Sequence, residues 1–432
     1  MYLADRSSTP GGVNTASVRT RGLIPKVAPI VFALGAVSLI TDISSEMVTA
    51  VLPLYLVTRL GFSPLGFGTL DGVYNGVSAL VQLAGGHLSD RVRNHKLIAG
   101  FGYGLSALCK PLLLLASGLG SLGTVLALER TGKGLRTAPR DAMISLSTPR
   151  ENQGRAFGVH RAMDTTGAML GPLAAFLILR ATVDGYDAVF GVSACVAALG
   201  VLVLVLFVPG KPRGTQAAEG GAEGDADGGE AADRRPVRVR EALALLRLPR
   251  LRALAGCAAL LGLTTVSDAF VYLLLQRRGG IGEQWFPLLP LGTAAVFLLL
   301  AVPVGALADR VGRRGVFLAG HGGLLIGYAL LLWAPATPAL PYLVLALHGT
   351  FYAATDGVLP AAVADIVPEE LRASGLAIVG TGQALARFCC SLAFGAAWTV
   401  WGDGRALAGS AVGLLCCAAV AGVVLRPTGG HR

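Results

Sequence analysis

Charged side chains stand inside stretches of this sequence that are otherwise apolar, and their spacing sorts them onto helical faces. At about 100° per residue, Arg130, Lys133, Arg136 and Arg140 fall within an arc of about 120°, so one helix would carry a strongly cationic face. Asp42, Ser45, Glu46, Thr49 and Pro53 share a second face, an acidic and hydroxylic stripe about 100° wide. His160, Asp164, Gly167 and Gly171 align on a third, with Arg161 about 60° from Asp164. An ionised group in an apolar span costs kilocalories unless it faces protein or a water-filled cavity, so such groups mark a pathway by default. The three stripes are expected to surround one cavity.

The chemistry open to these groups is proton exchange and ion pairing. A carboxylate in a poorly hydrated cavity changes its proton affinity with hydration and neighbouring cations, so Asp42, Glu46 or Asp164 could exchange a proton as the cavity opens to either side. Arg130 is expected to compete for the same carboxylate and so link proton release to substrate capture. Charges in the first half balance: Asp42, Glu46, Asp71, Glu129, Asp141 and Asp164 oppose Lys110, Arg130, Lys133, Arg136, Arg140 and Arg161. That balance leaves open a purely structural ion-pair network. The second half is poorer in charge, offering Asp268, His348, Tyr352, Asp356, Gln383 and Arg387, with Asp356 and Arg387 expected to pair. No nucleophile elbow, zinc signature or phosphate loop is present, and the seven cysteines lack metal-ligand spacing. Neither an enzyme, a metal site nor a cofactor is expected.

The elements that must hold these groups follow from composition. With 53% hydrophobic and only 14% charged residues in 432, the chain is too apolar for an ordinary soluble or disordered protein, and a nucleic-acid partner has little support. Apolar runs at 28–57, 64–88, 97–117, 120–145, 154–180 and 186–209, then 251–276, 284–308, 314–334, 339–364, 373–400 and 406–425, are each long enough to span a bilayer with some tilt. The fold class expected is an all-α membrane protein, twelve transmembrane helices in two pseudo-symmetric six-helix bundles at 28–209 and 251–425. Lys and Arg gather in every second loop, which by the positive-inside rule puts both termini in the cytoplasm and the chain in the cell (inner) membrane. Residues 1–27 and 426–432 read as cytoplasmic tails, and 210–250 as a linker. Its Gly-, Ala-, Asp- and Glu-rich part is expected to be flexible, and 237–250 to form a basic amphipathic helix on the inner leaflet.

The two halves repeat. The loop after the second span reads GGHLSDRVRNHK and the loop after the eighth reads GALADRVGRR, placing Asp90 and Asp309 in equivalent positions. Here the chain resembles the major facilitator superfamily, whose loop pattern is G-x-L-A-D-R-x-G-R-K. Gly305, Leu307, Asp309, Arg310, Gly312, Arg313 and Arg314 fill the second copy, while the first keeps Gly86, Leu88, Asp90 and Arg91 and departs at Arg93 and Asn94. Arg130, Lys133 and Gly134 match the family's fourth-helix motif with lysine in place of glutamine. Gly167, Gly171 and Pro172 match part of a fifth-helix motif associated with antiporters that export, although those glycines could equally serve close helix packing.

The resemblance implies secondary transport by alternating access, with Asp90 and Asp309 as gate residues at the cytoplasmic side. Three readings remain: proton-coupled export of a small, amphipathic compound by a drug:proton antiporter-like protein; uptake or exchange of an organic anion through the cationic face; and a non-transporting receptor or scaffold. The partners expected are a small-molecule substrate, protons and the lipid bilayer, with the protein a monomer.

Overall fold

The computed structural model describes residues 28–91, 95–149, 152–183, 185–209, 245–356, 358–368 and 371–426. Both tails, residues 1–27 and 427–432, and most of the linker lie outside it; of the amphipathic helix expected over 237–250 only 245–250 are described, a 3-10 turn at Leu245–Arg247 followed by the start of the next helix at Pro249.

Among the described residues the chain forms fourteen α-helices and no strand. The first set comprises α1 (Pro29–Leu54), α2 (Pro64–Arg91), α3 (His95–Leu115), α4 (Leu119–Leu146), α5 (Gln153–Ala181) and α6 (Gly185–Phe207). The second comprises α7 (Pro249–Gly262), α8 (Asp268–Gly279), α9 (Leu288–Val311), α10 (Arg313–Trp333), α11 (Leu340–Thr355), α12 (Val358–Ile366), α13 (Arg372–Trp401) and α14 (Asp403–Val424). Eight helices are long and apolar enough to cross a membrane. The eight leave out α2 and α4 as well as the expected spans 251–276 and 339–364, which are broken into α7–α8 and α11–α12, so that fourteen helices stand where twelve spans were expected.

Each break has a local cause. α11 stops at Thr355, and Pro360, which has no N–H to give, stands in the first turn of α12, where none is needed. Between α7 and α8 run Thr264, Thr265 and Val266, β-branched residues of low helix propensity. Backbone freed at membrane depth must find other partners. Here the Val266 N–H donates to the Tyr328 hydroxyl at 2.8 Å, and the Cys390 thiol donates to the Thr265 carbonyl at 3.3 Å.

Within the first set α1 packs along α5 so closely that a Cβ on Gly171 would meet the Ile43 carbonyl at 2.8 Å and the Met47 nitrogen at 2.9 Å. Gly167 approaches the backbone of Leu39 in the same way. These glycines do what small residues do in membrane helices, letting backbones approach. Gly312, at φ +103°, joins α9 to α10 in a conformation that side chains resist.

The two sets meet mainly at the end of the molecule away from the linker. There α2 runs against α13: the Leu65 N–H donates to Thr399 Oγ1 at 3.0 Å, and a Cβ on Gly395 would lie 3.2 Å from the Leu65 Cα. Phe67, Phe270, Phe394 and Trp398 form an edge-to-face chain with centroid spacings of 4.7, 4.8 and 5.8 Å, which plugs this end. Phe176 against Trp285 and the Tyr186 hydroxyl donating to Glu283 at 3.0 Å complete the seal.

Candidate functional site

The three polar stripes face one another, and only Arg130 turns to a carboxylate outside those expected for it. Arg136 Nη2 donates to Asp42 Oδ1 at 3.1 Å, and Lys133 Nζ to Glu46 Oε1 at 3.5 Å, joining α4 to α1. Arg140 donates to Asp141 at 3.0 Å and to Ser38 at 3.1 Å, and lies 3.6 Å from Asp164 on α5. His160 shares a 3.1 Å hydrogen bond with Ser38.

Arg130 does not compete for the α1 or α5 carboxylates. Its Nε donates to the neighbouring Glu129 at 2.7 Å, and its guanidinium lies 3.7 Å over the ring of Tyr74. Glu129 is a hub that receives Lys110 Nζ at 3.2 Å, Ser106 at 3.3 Å and Ser45 at 3.5 Å. Lys110, Glu129 and Arg130 are 2, 3 and 5% exposed, so desolvation is shared only because the charges are paired. Arg161 reaches Asp164 at 3.7 Å from beside the stripe, with its own side chain 79% exposed.

Between the sets lies a cavity of about 340 Å³. The first set contributes Glu46, Asp71, Tyr74 and Pro172, and the second contributes the α7–α8 break with Asp268, then Tyr352, Asp356 and Arg387. Both helix breaks therefore open onto the same space. Asp268, the first residue of α8, accepts from the Tyr352 hydroxyl at 2.6 and 2.8 Å and shares a hydrogen bond with His348 Nε2 at 2.9 Å. Asp71 accepts from Ser391 across the two sets at 2.6 Å. Asp356 and Arg387 line the cavity together, but the expected ion pair is absent among the described contacts.

The second loop motif forms a latch, though within the second set and not across the sets. Arg313 reaches Asp309 at 3.3 Å, bonds Asp365, and donates to the Ala361 carbonyl at 2.7 Å, tying α9, α10 and α12. Arg310 is exposed. A Cβ on Gly305 would touch nothing within 4 Å, so no packing demands a glycine there. Gly86, Asp90 and Arg91 sit in α2, and their side chains lie outside the described residues.

Two helix sets that seal one end and enclose a polar cavity between them define a membrane transporter architecture. The chain belongs to the Major Facilitator Superfamily, whose family profile it matches over residues 34–389 and 288–431. It is 29% identical over 396 residues to MJ1317 of Methanocaldococcus jannaschii, an uncharacterised MFS-type transporter, covering 89% of this chain and 92% of that protein. An uncharacterised protein of Mycobacterium tuberculosis, Rv2265, is 34% identical over 170 residues, 39% of each chain. The fold superposes on the nucleoside transporter NupG with a TM-score of 0.75 at 13% identity, covering 93% of this chain and 100% of that one. A bacterial homologue of the lysosomal transporter Spinster, in an inward-facing and unoccupied conformation, gives 0.73 at 15% identity, covering 91% and 96%.

Proposed function

We propose that this transporter of MFS type exports a small amphipathic compound in exchange for protons, by alternating access through the cavity between its two six-span halves at 28–209 and 251–425. The observation that carries the reading is the meeting of both helix breaks, with Asp268, Asp356 and Arg387, against Glu46, Asp71 and Tyr74 in one sealed-ended space. Discontinuous helices at midplane cavities are where transporters of this architecture place substrate and coupling ions. We count each broken pair as one span, which takes the fourteen helices to twelve crossings.

The charge pattern favours a basic or neutral cargo over an organic anion. Every cation on α4 already holds a carboxylate, so the face that suggested anion binding is neutralised. Beyond Glu46, which is paired with Lys133, the cavity presents Asp71, Asp268 and Asp356 against Arg387, beside Tyr74, Tyr272 and Tyr352. Acidic groups among aromatic rings suit an organic cation. We read the linker end as cytoplasmic from the loop charges, which makes the sealed end the outward one and this conformation an inward-facing one. With its termini cytoplasmic, the protein is read as a multi-pass inner-membrane monomer without enzymatic activity.

The test uses proteoliposomes with an acidic lumen and a pH-sensitive dye, to which a lipophilic quaternary amine or a dicarboxylate is added. Proton efflux on adding the amine, absent in empty vesicles, is the expected outcome. Dicarboxylate exchange without proton movement would instead establish the anion reading.

A further inference from the structure

A second cavity, of about 580 Å³, opens at the linker end and is built wholly by the second helix set. It lies among the first turns of α7 and α10, the length of α12 and the end of α14. Four arginines line it: Arg250, Arg313, Arg314 and Arg426. Its floor is apolar, with Leu254, Phe317, Val358 and Leu359 buried, and it runs out to Val424, which is 49% exposed.

The electrostatics here run against ordinary helix design. A helix N-terminus carries partial positive charge and favours acidic residues in its first turn. The starts of α7 and α10 have no acidic residue there, and instead carry Arg250 in one and Arg313 and Arg314 in the other. Two positive helix ends and four guanidinium groups therefore converge, while carboxylates answer only Arg313, through Asp309 and Asp365. Arg250 and Arg426 are exposed and form no ion pair among the described residues. Arg314 donates through Nη2 to the Gly422 carbonyl, but its Nε is buried with no partner.

We propose that this pocket binds an anionic phospholipid, its phosphate held by Arg250, Arg314 and Arg426 and an acyl chain laid along the apolar floor. Helix N-termini and arginines together are a ready-made phosphate site. Basic pockets between transmembrane helices on the cytoplasmic side suit acidic headgroups. A free phosphate would leave the floor from Leu254 to Val424 in contact with water, whereas a lipid covers it. The apolar lining ends at Val424, 49% exposed, which offers an acyl chain a way out of the pocket. The site is separate from the transport cavity, and its occupancy does not depend on what is carried.

The experiment follows the full-length protein in neutral detergent by thermal melting and native mass spectrometry. Phosphatidylglycerol, phosphatidylcholine and glycerol 3-phosphate are titrated in turn. Phosphatidylglycerol should raise the melting temperature and remain as a bound adduct, with phosphatidylcholine and glycerol 3-phosphate giving neither. Arg250→Gln with Arg426→Gln, both exposed and removable without a packing cost, should weaken the phosphatidylglycerol response roughly thirtyfold. Arg278→Gln with Arg405→Gln, at the sealed end, should leave it intact. Equal stabilisation by phosphatidylcholine overturns the proposal, as does full stabilisation by glycerol 3-phosphate or an undiminished response in the Arg250/Arg426 variant. A response that emerges only after neutralising Glu219, Glu223 and Asp225 would put the acidic linker in the pocket and equally overturn it.

Discussion

Neutralising Asp42 is expected to unsettle the protein as well as its transport, and the two effects can be separated. The Asp42 carboxylate lies 3.1 Å from Arg136 Nη2, and Arg136 is only 3% exposed. Asp42→Asn leaves that guanidinium buried against a neutral amide. Removing one member of a buried pair costs about 3–5 kcal/mol, because the remaining charge has lost both water and partner. Two features pull the value to the low end. The asparagine carbonyl can still accept the hydrogen bond, and the Arg136 guanidinium lies 4.5 Å from the Tyr103 ring centroid, a contact that survives. The expected loss is about 3 kcal/mol, with Arg136→Gln costing a similar amount. The double variant removes both charges and should recover a coupling energy of about 3 kcal/mol.

Unfolding in mixed micelles measures the stabilities, and substrate counterflow set beside proton-driven transport measures function. If Asp42 carries a proton, the double variant folds well and exchanges substrate but no longer couples to the gradient. Stability within about 1 kcal/mol of the native protein for Asp42→Asn alone would refute the burial argument. Native proton coupling in the double variant would confine Asp42 to a structural role.

Gly171→Ala should cost about 2 kcal/mol, since its Cβ would press the Ile43 carbonyl and Met47 nitrogen at under 3 Å, whereas Gly305→Ala, with open space, should cost nothing; comparable melting temperatures would show that α1 yields freely. In a background without native cysteines, Leu65→Cys with Thr399→Cys should form a disulfide on oxidation that locks the sealed end. Transport should stop and return with reductant, and undiminished transport by the cross-linked protein would mean this end never opens. Asp309→Asn should lower stability by under about 1 kcal/mol, as its bond to Arg313 is exposed, yet change the reactivity of cysteines placed at the linker end; unchanged reactivity would deny the latch a part in gating.

Helix boundaries were legible because the apolar runs are long: α4, expected at 120–145, spans Leu119–Leu146, and α10, expected at 314–334, spans Arg313–Trp333. The broken spans were not, because each reads as one continuous apolar run. Pro360 was a visible signal for one break. The other depends on Tyr328 and Cys390, whose roles are tertiary. Facing stripes could be inferred from a 100° step, but pairing within them could not. Side-chain reach decides that Arg130 turns to its own neighbour Glu129 while Arg136 crosses to Asp42. Glu129 was visible as one acid among six, and only the convergence of α1, α3 and α4 on it marks it as the hub.

Labour between the halves is therefore divided differently from what charge counting implies. In the charge-rich first half most ionised groups are paired, and those are poor candidates for exchange: moving a proton onto Asp42 or Glu129 would strand a buried cation, whereas Asp71 accepts from neutral Ser391 and Asn75 and is in no ion pair among the described residues. The charge-poor second half keeps Asp356 without an ion pair and ties Asp268 to neutral or titratable donors, the Tyr352 hydroxyl and the His348 ring. Both acids stand at helix breaks, where a small rotation of α8 or α12 would change their hydration without dismantling a span. Groups that must exchange protons or cargo during a cycle are better placed there, while the paired network of α1, α3, α4 and α5 keeps the first half rigid enough for the second to move against it.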